Sequence, residues 1–418
     1  MNSISSKQIL TTDGVPLEIS LKKAERINKI KSFLLVSPLL LFILVIYISP
    51  IANLLTRSVD NTLISTLLPE TYIALGDWDG KSLPSEEIYK IFFIDLEIAH
   101  KAKISGKVST RLNYAKGGFK SLINKTRRKL KNFEDGNYKE QFISIHKKWG
   151  QLEYWQAMKT AMPKYTYDKY LNSFDYEKNF EGKIVEKPKN RQVHKMLWLR
   201  TLYVALGVTF CCFLLAFPIA HLLATIPLRY SNLLMICVLL PFWTSLLVRT
   251  SSWMILLQSQ GVINDILVFF NIVSDDNRLE LMYNMNGTFI AMTQILLPFM
   301  VLPLYSVMKT IPPSLMRAGN SLGGTPFYSF RKIYFPLTFP GIGAGCLLVF
   351  ILSIGYYITP ALVGGPSGTL ISNRIAYHMK ETLDWGMAAA MGTILLVSVL
   401  ILYWIYNKLL GIDNLKLG

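Results

Sequence analysis

Few side chains in this 418-residue chain stand where they could do chemistry. The most demanding is Arg249, a guanidinium inside Leu246-Leu247-Val248-Arg249-Thr250-Ser251-Ser252-Trp253. Burying such a charge is costly unless it is paired, faces water or snorkels to an interface. Two roles are therefore open to it: lining a pathway, or anchoring at the outer headgroups near Trp253. His221 and His378 stand alone, without ligand partners at metal spacing. Cys211, Cys212, Cys237 and Cys346 all fall in apolar stretches, outside any disulfide framework or Cys-x-x-Cys site. No convergent His, Asp or Ser motif marks a membrane-embedded enzyme, and no G-x-x-x-x-G-K-S/T phosphate loop is present. We expect no catalytic residue, no metal and no cofactor.

A second kind of work, mechanical rather than chemical, is written into residues 311–337. The stretch reads Ile311-Pro312-Pro313-Ser314-Leu315-Met316-Arg317-Ala318-Gly319-Asn320-Ser321-Leu322-Gly323-Gly324-Thr325-Pro326-Phe327, then Arg331-Lys332-Ile333-Tyr334-Phe335-Pro336. The prolines open one short helix, and Gly323-Gly324 supplies a turn that a Cβ would strain. Thr325 is a good N-cap, with Pro326 at the first position of a second helix. Pro336 is expected to end that helix before the chain returns to the membrane. Two short helices with an enforced turn make a rigid knob, able to transmit force from a soluble partner.

The elements that must carry these residues follow from hydropathy. The chain is 51% hydrophobic and 17% charged, with a net charge of +17. A soluble domain of this size carries more charge and does not gather its apolar residues into long runs. A bilayer core takes about 20 apolar residues as helix, and six runs meet that length: Phe33 to Leu55, Leu197 to Ala224, Leu233 to Leu257, Thr288 to Met308, Thr338 to Thr359 and Met387 to Tyr406. The first lacks a small-x-small cleavage site and is read as a retained span rather than a signal peptide. Basic residues flank the spans, which explains the charge without nucleic acid; no basic-aromatic reading module is visible.

With the N-terminus inside, Lys22, Lys23, Arg26, Lys29, Lys31, Arg229, Lys309, Arg317, Arg331, Lys332 and Lys408 are all cytoplasmic, while Asp265, Asp275, Asp276 and Glu280 lie outside. That choice satisfies the positive-inside rule, with both termini cytoplasmic. The basic segment between the first two spans then lies outside, which long loops tolerate. Within it, Ser85-Glu86-Glu87 followed by Ile88, Ile91, Phe92, Leu96 and Ala99 reads as a capped amphipathic helix, and Leu152 to Met158 as another. The expected organisation is a tail over 1–32, a first span over 33–56 and a helical extracytoplasmic insertion over 57–196. A membrane domain over 197–408, with its cytoplasmic loop at 309–337, and a tail over 409–418 complete it. No Asp or Glu lies inside a span. Carriers driven by protons or sodium generally need an ionisable group near midplane, so active transport through this chain would borrow its power.

The 317–336 pattern resembles the cytoplasmic loop signature of binding-protein-dependent ABC importer permeases: Glu-Ala-Ala, three residues, Gly, nine residues, then Ile-x-Leu-Pro. Ala318 and Gly323 match, and the spacing to Ile333 and Pro336 is kept; Arg317 replaces Glu, Gly319 the second Ala and Phe335 the Leu. Three further stretches look like the spermidine/putrescine branch: Leu239 to Thr250, Pro336 to Gly345 and Tyr356 to Gly365. The resemblance implies an all-α polytopic protein of the type I ABC importer permease fold, in a bacterial inner membrane. It implies that Arg317, Ala318, Gly319, Gly323, Ile333 and Pro336 meet cytoplasmic ATPase subunits. A second permease chain and an extracytoplasmic solute-binding protein would complete the system. Another small solute, such as iron, phosphonate or sulfate, fits the same architecture; a membrane sensor with a ligand-binding outer segment is the reading from another class. The run Gly341-Ile342-Gly343-Ala344-Gly345 is read as close helix packing rather than a binding site.

Overall fold

Prolines shape the long helices of this chain. The computed structural model describes residues 17–179 and 183–410; of the tails expected at 1–32 and 409–418, residues 1–16 and 411–418 lie outside the described residues. Residues up to 57 and residues from 58 onward form two separate units. The first is helical over Leu17–Ile43, passes through a π-turn at Leu44–Ile48 and continues as Ser49–Val59. The π-turn ends two residues before Pro50, whose ring would press on the carbonyl a normal helical turn earlier and which has no N–H to offer it. Widening the turn relieves both problems.

The second unit holds a helical bundle and the insertion. Among the described residues four helices are individually long and apolar enough to cross a membrane: Leu21–Val59, His194–Thr225, Met285–Thr310 and Trp385–Lys408. Two further apolar helix pairs are bent, Leu228–Trp243 with Leu246–Leu256 at 98°, and Pro326–Leu337 with Phe339–Gly355 at 57°. Up to six crossings result if each bent pair is one span, but the runs expected as Leu233 to Leu257 and Thr338 to Thr359 are not straight spans. Hydropathy scores length and is blind to direction, so the two breaks escaped it. Helices His194–Thr225, Met285–Thr310 and Phe339–Gly355 form the centre. They meet over small side chains: a Cβ on Gly345 would stand 2.6 Å from Met300 Sδ, and one on Gly341 3.0 Å from Val307 Cβ. This is the close packing expected of Gly341 to Gly345.

The insertion folds around its own aromatic core of Tyr89, Phe92, Phe142, Trp149 and Trp155, all fully buried. Helices Glu86–Lys101 and Leu152–Ala161 stand where the two amphipathic patterns lie. Ser85 occupies the N-cap position of the first in extended conformation without a side-chain cap bond. The insertion also holds a two-stranded antiparallel hairpin, Tyr176–Lys178 with Ile184–Glu186, that the helical reading did not include.

Hydrogen bonds settle which elements share an end of the bundle. Lys309 Nζ donates to the Ala224 carbonyl at 3.3 Å, so helices His194–Thr225 and Met285–Thr310 finish side by side and run parallel. At their other end, Thr201 Oγ1 accepts from the Ile371 amide at 2.9 Å and Arg200 Nη1 donates to the Pro366 carbonyl at 2.9 Å. Tyr114 of the insertion donates to the Thr382 carbonyl at 2.8 Å. The insertion therefore gathers at the end of the bundle opposite the 311–337 loop.

Candidate functional site

Residues 311–337 form two short helices whose turn is built from backbone bonds. Pro313 sits in the first turn of helix Pro313–Ser321. At its far end the Gly323 amide donates to the Asn320 carbonyl and the Gly324 amide to the Gly319 carbonyl, both at 3.1 Å. Paired bonds of this kind, with a left-handed residue between helix and exit, make the Schellman stop; Gly323 supplies that residue at φ +88°. The space around a Cβ at Gly323 is open, so its demand is purely conformational. Gly324 and Gly319 are constrained by crowding instead: a Cβ on Gly324 would lie 2.8 Å from the Gly319 carbonyl oxygen, and one on Gly319 2.6 Å from Ile333 Cδ1. Gly319 stands where the family signature has its second Ala, and Ile333 rests on the space that substitution leaves.

Thr325 then caps helix Pro326–Ser329, its Oγ1 accepting from the Tyr328 amide at 3.2 Å. The helix does not stop at Pro336. A π-turn over Phe330–Tyr334 is followed by Phe335–Leu337, and the bend comes at Thr338. As at Pro50, the widened turn ends two residues before the proline and absorbs its missing donor, so the chain stays helical through it.

The second helix is clamped to the bundle by rings. His221 packs edge-on to Tyr334 at 5.0 Å and to Phe330 at 5.6 Å, and Phe217 lies 5.7 Å from Phe335 and 5.8 Å from Phe213. Phe335 thus gives an aromatic partner to Phe217 where the signature has Leu. His221, isolated in sequence, is part of this contact. The spacing Phe213, Phe217, His221 on one helix and Phe330, Tyr334 on the other is the signal that could have revealed it. Beyond the clamp the tip is bare: Leu322 is 90% exposed and Phe327 73%, with Leu315, Tyr328, Arg317 and Ala318 also exposed. Gly319 and Ile333 are brought together beneath that surface, Gly323 lies at the tip, and Pro336 is exposed at the membrane end of the second helix.

Arg249 belongs to a different place, the 98° break. Pro241 interrupts the first half of that span, and Ser245 starts the second half as N-cap, its Oγ accepting from the Val248 amide at 3.2 Å. The break takes backbone carbonyls out of the regular helical ladder, and in hydrocarbon an unsatisfied group costs several kcal/mol; the Pro241 carbonyl is met partly by the amide and hydroxyl of Thr244, at 3.3 and 2.8 Å. Arg249 Nη2 donates to two of them, Pro241 O at 2.5 Å and Thr244 O at 3.2 Å, while its guanidinium carbon lies 5.7 Å from the Phe242 ring centroid. One turn on, Trp253 Nε1 donates to Gln294 Oε1 at 3.0 Å. The order Pro241, Ser245, Arg249 is a break with its own repair.

Among the described residues no group of three or more His, Cys, Asp or Glu is placed to hold a metal. What the geometry defines is a polytopic helical bundle with a stiff two-helix knob on one end and a folded insertion on the other. The profile of the family described as "binding-protein-dependent transport system inner membrane component" matches residues 213–410. The spermidine/putrescine transport system permease protein PotB of Escherichia coli (strain K12) is 35% identical over 216 residues, 51% of this chain and 78% of that protein. The counterpart from Salmonella typhimurium (strain LT2) is 35% identical over 51% of this chain and 75% of its own length. The inner membrane ABC transporter permease protein YdcU of Escherichia coli (strain K12) is 32% identical over 63% of this chain and 86% of that protein. A solved bacterial alginate ABC transporter, in complex with an alginate pentasaccharide-bound periplasmic protein, aligns over 53% of this chain and 80% of its own with a TM-score of 0.41 and 18% identity, too distant to carry weight. The chain belongs to the family of binding-protein-dependent inner-membrane transport components: it is a multi-pass permease of the ATP-binding-cassette importer class.

Proposed function

We propose that this permease imports polyamines of the spermidine and putrescine class. In this reading the 311–337 knob and both termini lie in the cytoplasm, and the insertion lies outside. Support for the cargo comes from the relatives named for spermidine/putrescine transport. The coupling role rests on the knob itself: exposed Leu322, Phe327 and Tyr328 ride on a turn that local bonding makes rigid and that rings weld to the bundle. Monomeric soluble proteins rarely leave such an apolar patch bare, and a partner normally covers it.

The partner we assign is a pair of cytoplasmic ATPase subunits. Arg317, Ala318, Gly319 and Gly323 form the contact; Ile333 and Pro336 pass the movement to the spans. Arg317 places a cation where the family's glutamate stands, so it pairs with an acidic group on the ATPase rather than a basic one. A second permease chain completes the pathway, and a solute-binding protein delivers cargo from the insertion side. Arg249 holds the broken span in shape beside that pathway.

The test is uptake by proteoliposomes holding the assembled transporter. Spermidine or putrescine presented with the cognate binding protein should stimulate ATP hydrolysis and accumulate inside. Replacing Gly323 with Trp should leave the chain in the membrane and abolish uptake, because the left-handed turn is lost and the tip no longer fits its groove. Uptake unchanged by Gly323→Trp would sink the coupling role. ATP hydrolysis stimulated by iron or sulfate but not by polyamines would reassign the cargo.

A further inference from the structure

Between the broken span and helix Met285–Thr310 lies a short helix, Val262–Phe269, with two opposed sides. Its polar side is closed by its own bonds. Asn264 is fully buried; its amide donates to the carbonyls of Gln258 and Leu279, and its Oδ1 accepts from the Leu279 amide at 3.0 Å. Arg278 bridges Asp265 at 2.8 Å and Asp275 at 2.7 Å, and donates to the Ser259 carbonyl at 3.2 Å. The segment is pinned, so what it exposes is held in place rather than flopping.

What it exposes is apolar. Val262, Ile266, Phe269 and Phe270 follow the i, i+4, i+7, i+8 spacing of one helical face. Phe269 is 79% exposed, Phe270 65% and Ile272 just beyond 67%. Three such side chains in a pinned segment exceed the scattered exposure of an ordinary surface.

The level of the helix follows from its neighbours. A Cβ on Gly261 would stand 2.6 Å from the carbonyl oxygens of Ile255 and Leu256, so the turn out of helix Leu246–Leu256 is as tight as backbone permits. At the other side Asn264 grips Leu279, and Leu281 O lies 2.2 Å from where Gly287 would carry a Cβ, within the first turn of helix Met285–Thr310. The helix is thus held at the mouth of two membrane crossings, on the insertion end of the bundle, where hydrocarbon gives way to headgroups. Its apolar face is exposed, Asn264 is buried on the far side, and the one carboxylate of the helix, Asp265 beside that face, is paired with Arg278.

We propose that Val262–Phe269, with Phe270 and Ile272, is an interfacial helix lying in the leaflet on the insertion side, its apolar face among the upper acyl chains. Amphipathic helices of this type bind through apolar area buried at the headgroup boundary. Here the helix anchors the outer end of the bent span, which alone among the crossings turns through 98° and needs a fixed point against which to bend.

The test places a fluorescent label on single cysteines at Val262, Ile266, Phe269 and, as control, Asp276, after replacing Cys211, Cys212, Cys237 and Cys346. The full chain is held in phosphatidylcholine nanodiscs carrying shallow or deep nitroxide lipids. The three apolar positions should be quenched by shallow nitroxide lipid and ignored by a water-soluble quencher, with Asp276→Cys behaving the opposite way. Hydroxyl-radical footprinting of the unmodified chain in the same nanodiscs needs no substitution and should leave Phe269 and Phe270 unoxidised. Labels open to water in the chain alone and covered only when the binding protein is added would overturn the proposal in favour of a protein partner. Labels dark to both quenchers would overturn it too, since they would be sealed in a permease–permease contact.

Discussion

Trp149, Trp155, Phe92, Phe142 and Tyr89 meet at the centre of the insertion, whereas the bundle closes over Ala205, Ala216, Ala220, Gly341 and Gly345. The insertion faces water, so burying large rings drives its folding. Every polar atom taken inside then needs a partner. Trp149 Nε1 donates to Thr126 Oγ1 at 2.9 Å, Trp155 Nε1 to the Trp149 carbonyl at 3.0 Å, and Asp95 accepts from the amide and hydroxyl of Thr71, both at 2.7 Å. The bundle faces lipid, which is as apolar as leucine and offers no such drive; close approach of backbones over small residues takes its place. One chain thus centres its insertion on clustered rings, while its bundle helices approach over small residues set among Met292, Leu296, Met300 and Leu304.

That contrast can be broken from either side. Trp149→Ala should cost the insertion about 3–5 kcal/mol while the bundle still inserts and stays folded. Limited proteolysis should then cut between residues 86 and 161 (helices Glu86–Lys101 to Leu152–Ala161) at temperatures the native chain survives. If bundle and insertion melt together, the two are one cooperative unit and the contrast is only compositional. Gly345→Leu is the converse. Its Cβ meets Met300 at 2.6 Å, and overpacking should cost about 1–3 kcal/mol, lowering the bundle's melting temperature in detergent while the insertion keeps its protease resistance.

Arg249→Leu sharpens the picture at a place where the bundle does need polar repair. The Thr244 carbonyl loses its bond from Arg249, and the Pro241 carbonyl loses one donor while keeping the amide and hydroxyl of Thr244, at about 1–3 kcal/mol. Arg249→Lys, with a single ammonium, should restore part of it. Thermal stability of the three forms in nanodiscs decides this: a Leu variant as stable as native would show that Arg249 serves the pathway instead.

The smallest effect is expected where the two regions touch. Asp175 from the insertion binds His194 Nδ1 at 2.7 Å and the Lys195 amide at 2.8 Å. Burial opposes its charge, but these bonds outweigh it and hold the carboxyl below the usual range. The His378 ring stacks 6.4 Å from His194, its Nδ1 3.2 Å from Thr382 Oγ1 and its Nε2 buried without a partner. Burial first, then Arg374, push the His378 pKa down to about 4 against an opposing pull from Asp384, with smaller pushes from His194 and Lys187. A base whose pKa falls on docking is held neutral in the docked state. The contact is therefore at full strength above the ordinary histidine range and weakens as pH falls from there toward about 4. Protection against hydrogen exchange in the 371–384 segment, taken relative to the intrinsic rate at each pH, should fall as pH is lowered across that window, and His378→Phe should flatten the response. A response that persists in the Phe variant would assign it to Asp175 or another group.

Much of this was legible from residues alone where the chemistry is local. The runs able to cross follow from apolar length. Gly323, Thr325 and Pro326 each mark the backbone event they produce, because a left-handed turn, a cap and a first helical turn are decided within four or five residues. The bends were not legible, since Pro241 and Pro336 carry the same side chain and yet one coincides with a 98° break and the other with a π-turn that keeps the helix going. What differs is the surroundings: Arg249 is placed to serve the freed carbonyls in one case, and rings from a helix more than a hundred residues away hold the chain in the other. His221 and His378, solitary in sequence, are each packed against partners from distant segments.

By itself, then, the order of residues determined that this chain lives in a bilayer, which runs are long enough to cross it, and where the stiff turn at Gly323 lies; those are properties of short windows, set by solvation and backbone sterics. Only the tertiary structure decided that the knob and the insertion occupy opposite ends of the bundle, that Gly319 makes room for Ile333, and that the insertion is tied to the bundle through Asp175, His194 and His378. Contacts between segments far apart in the chain leave no mark in any window, because each partner alone is an ordinary residue.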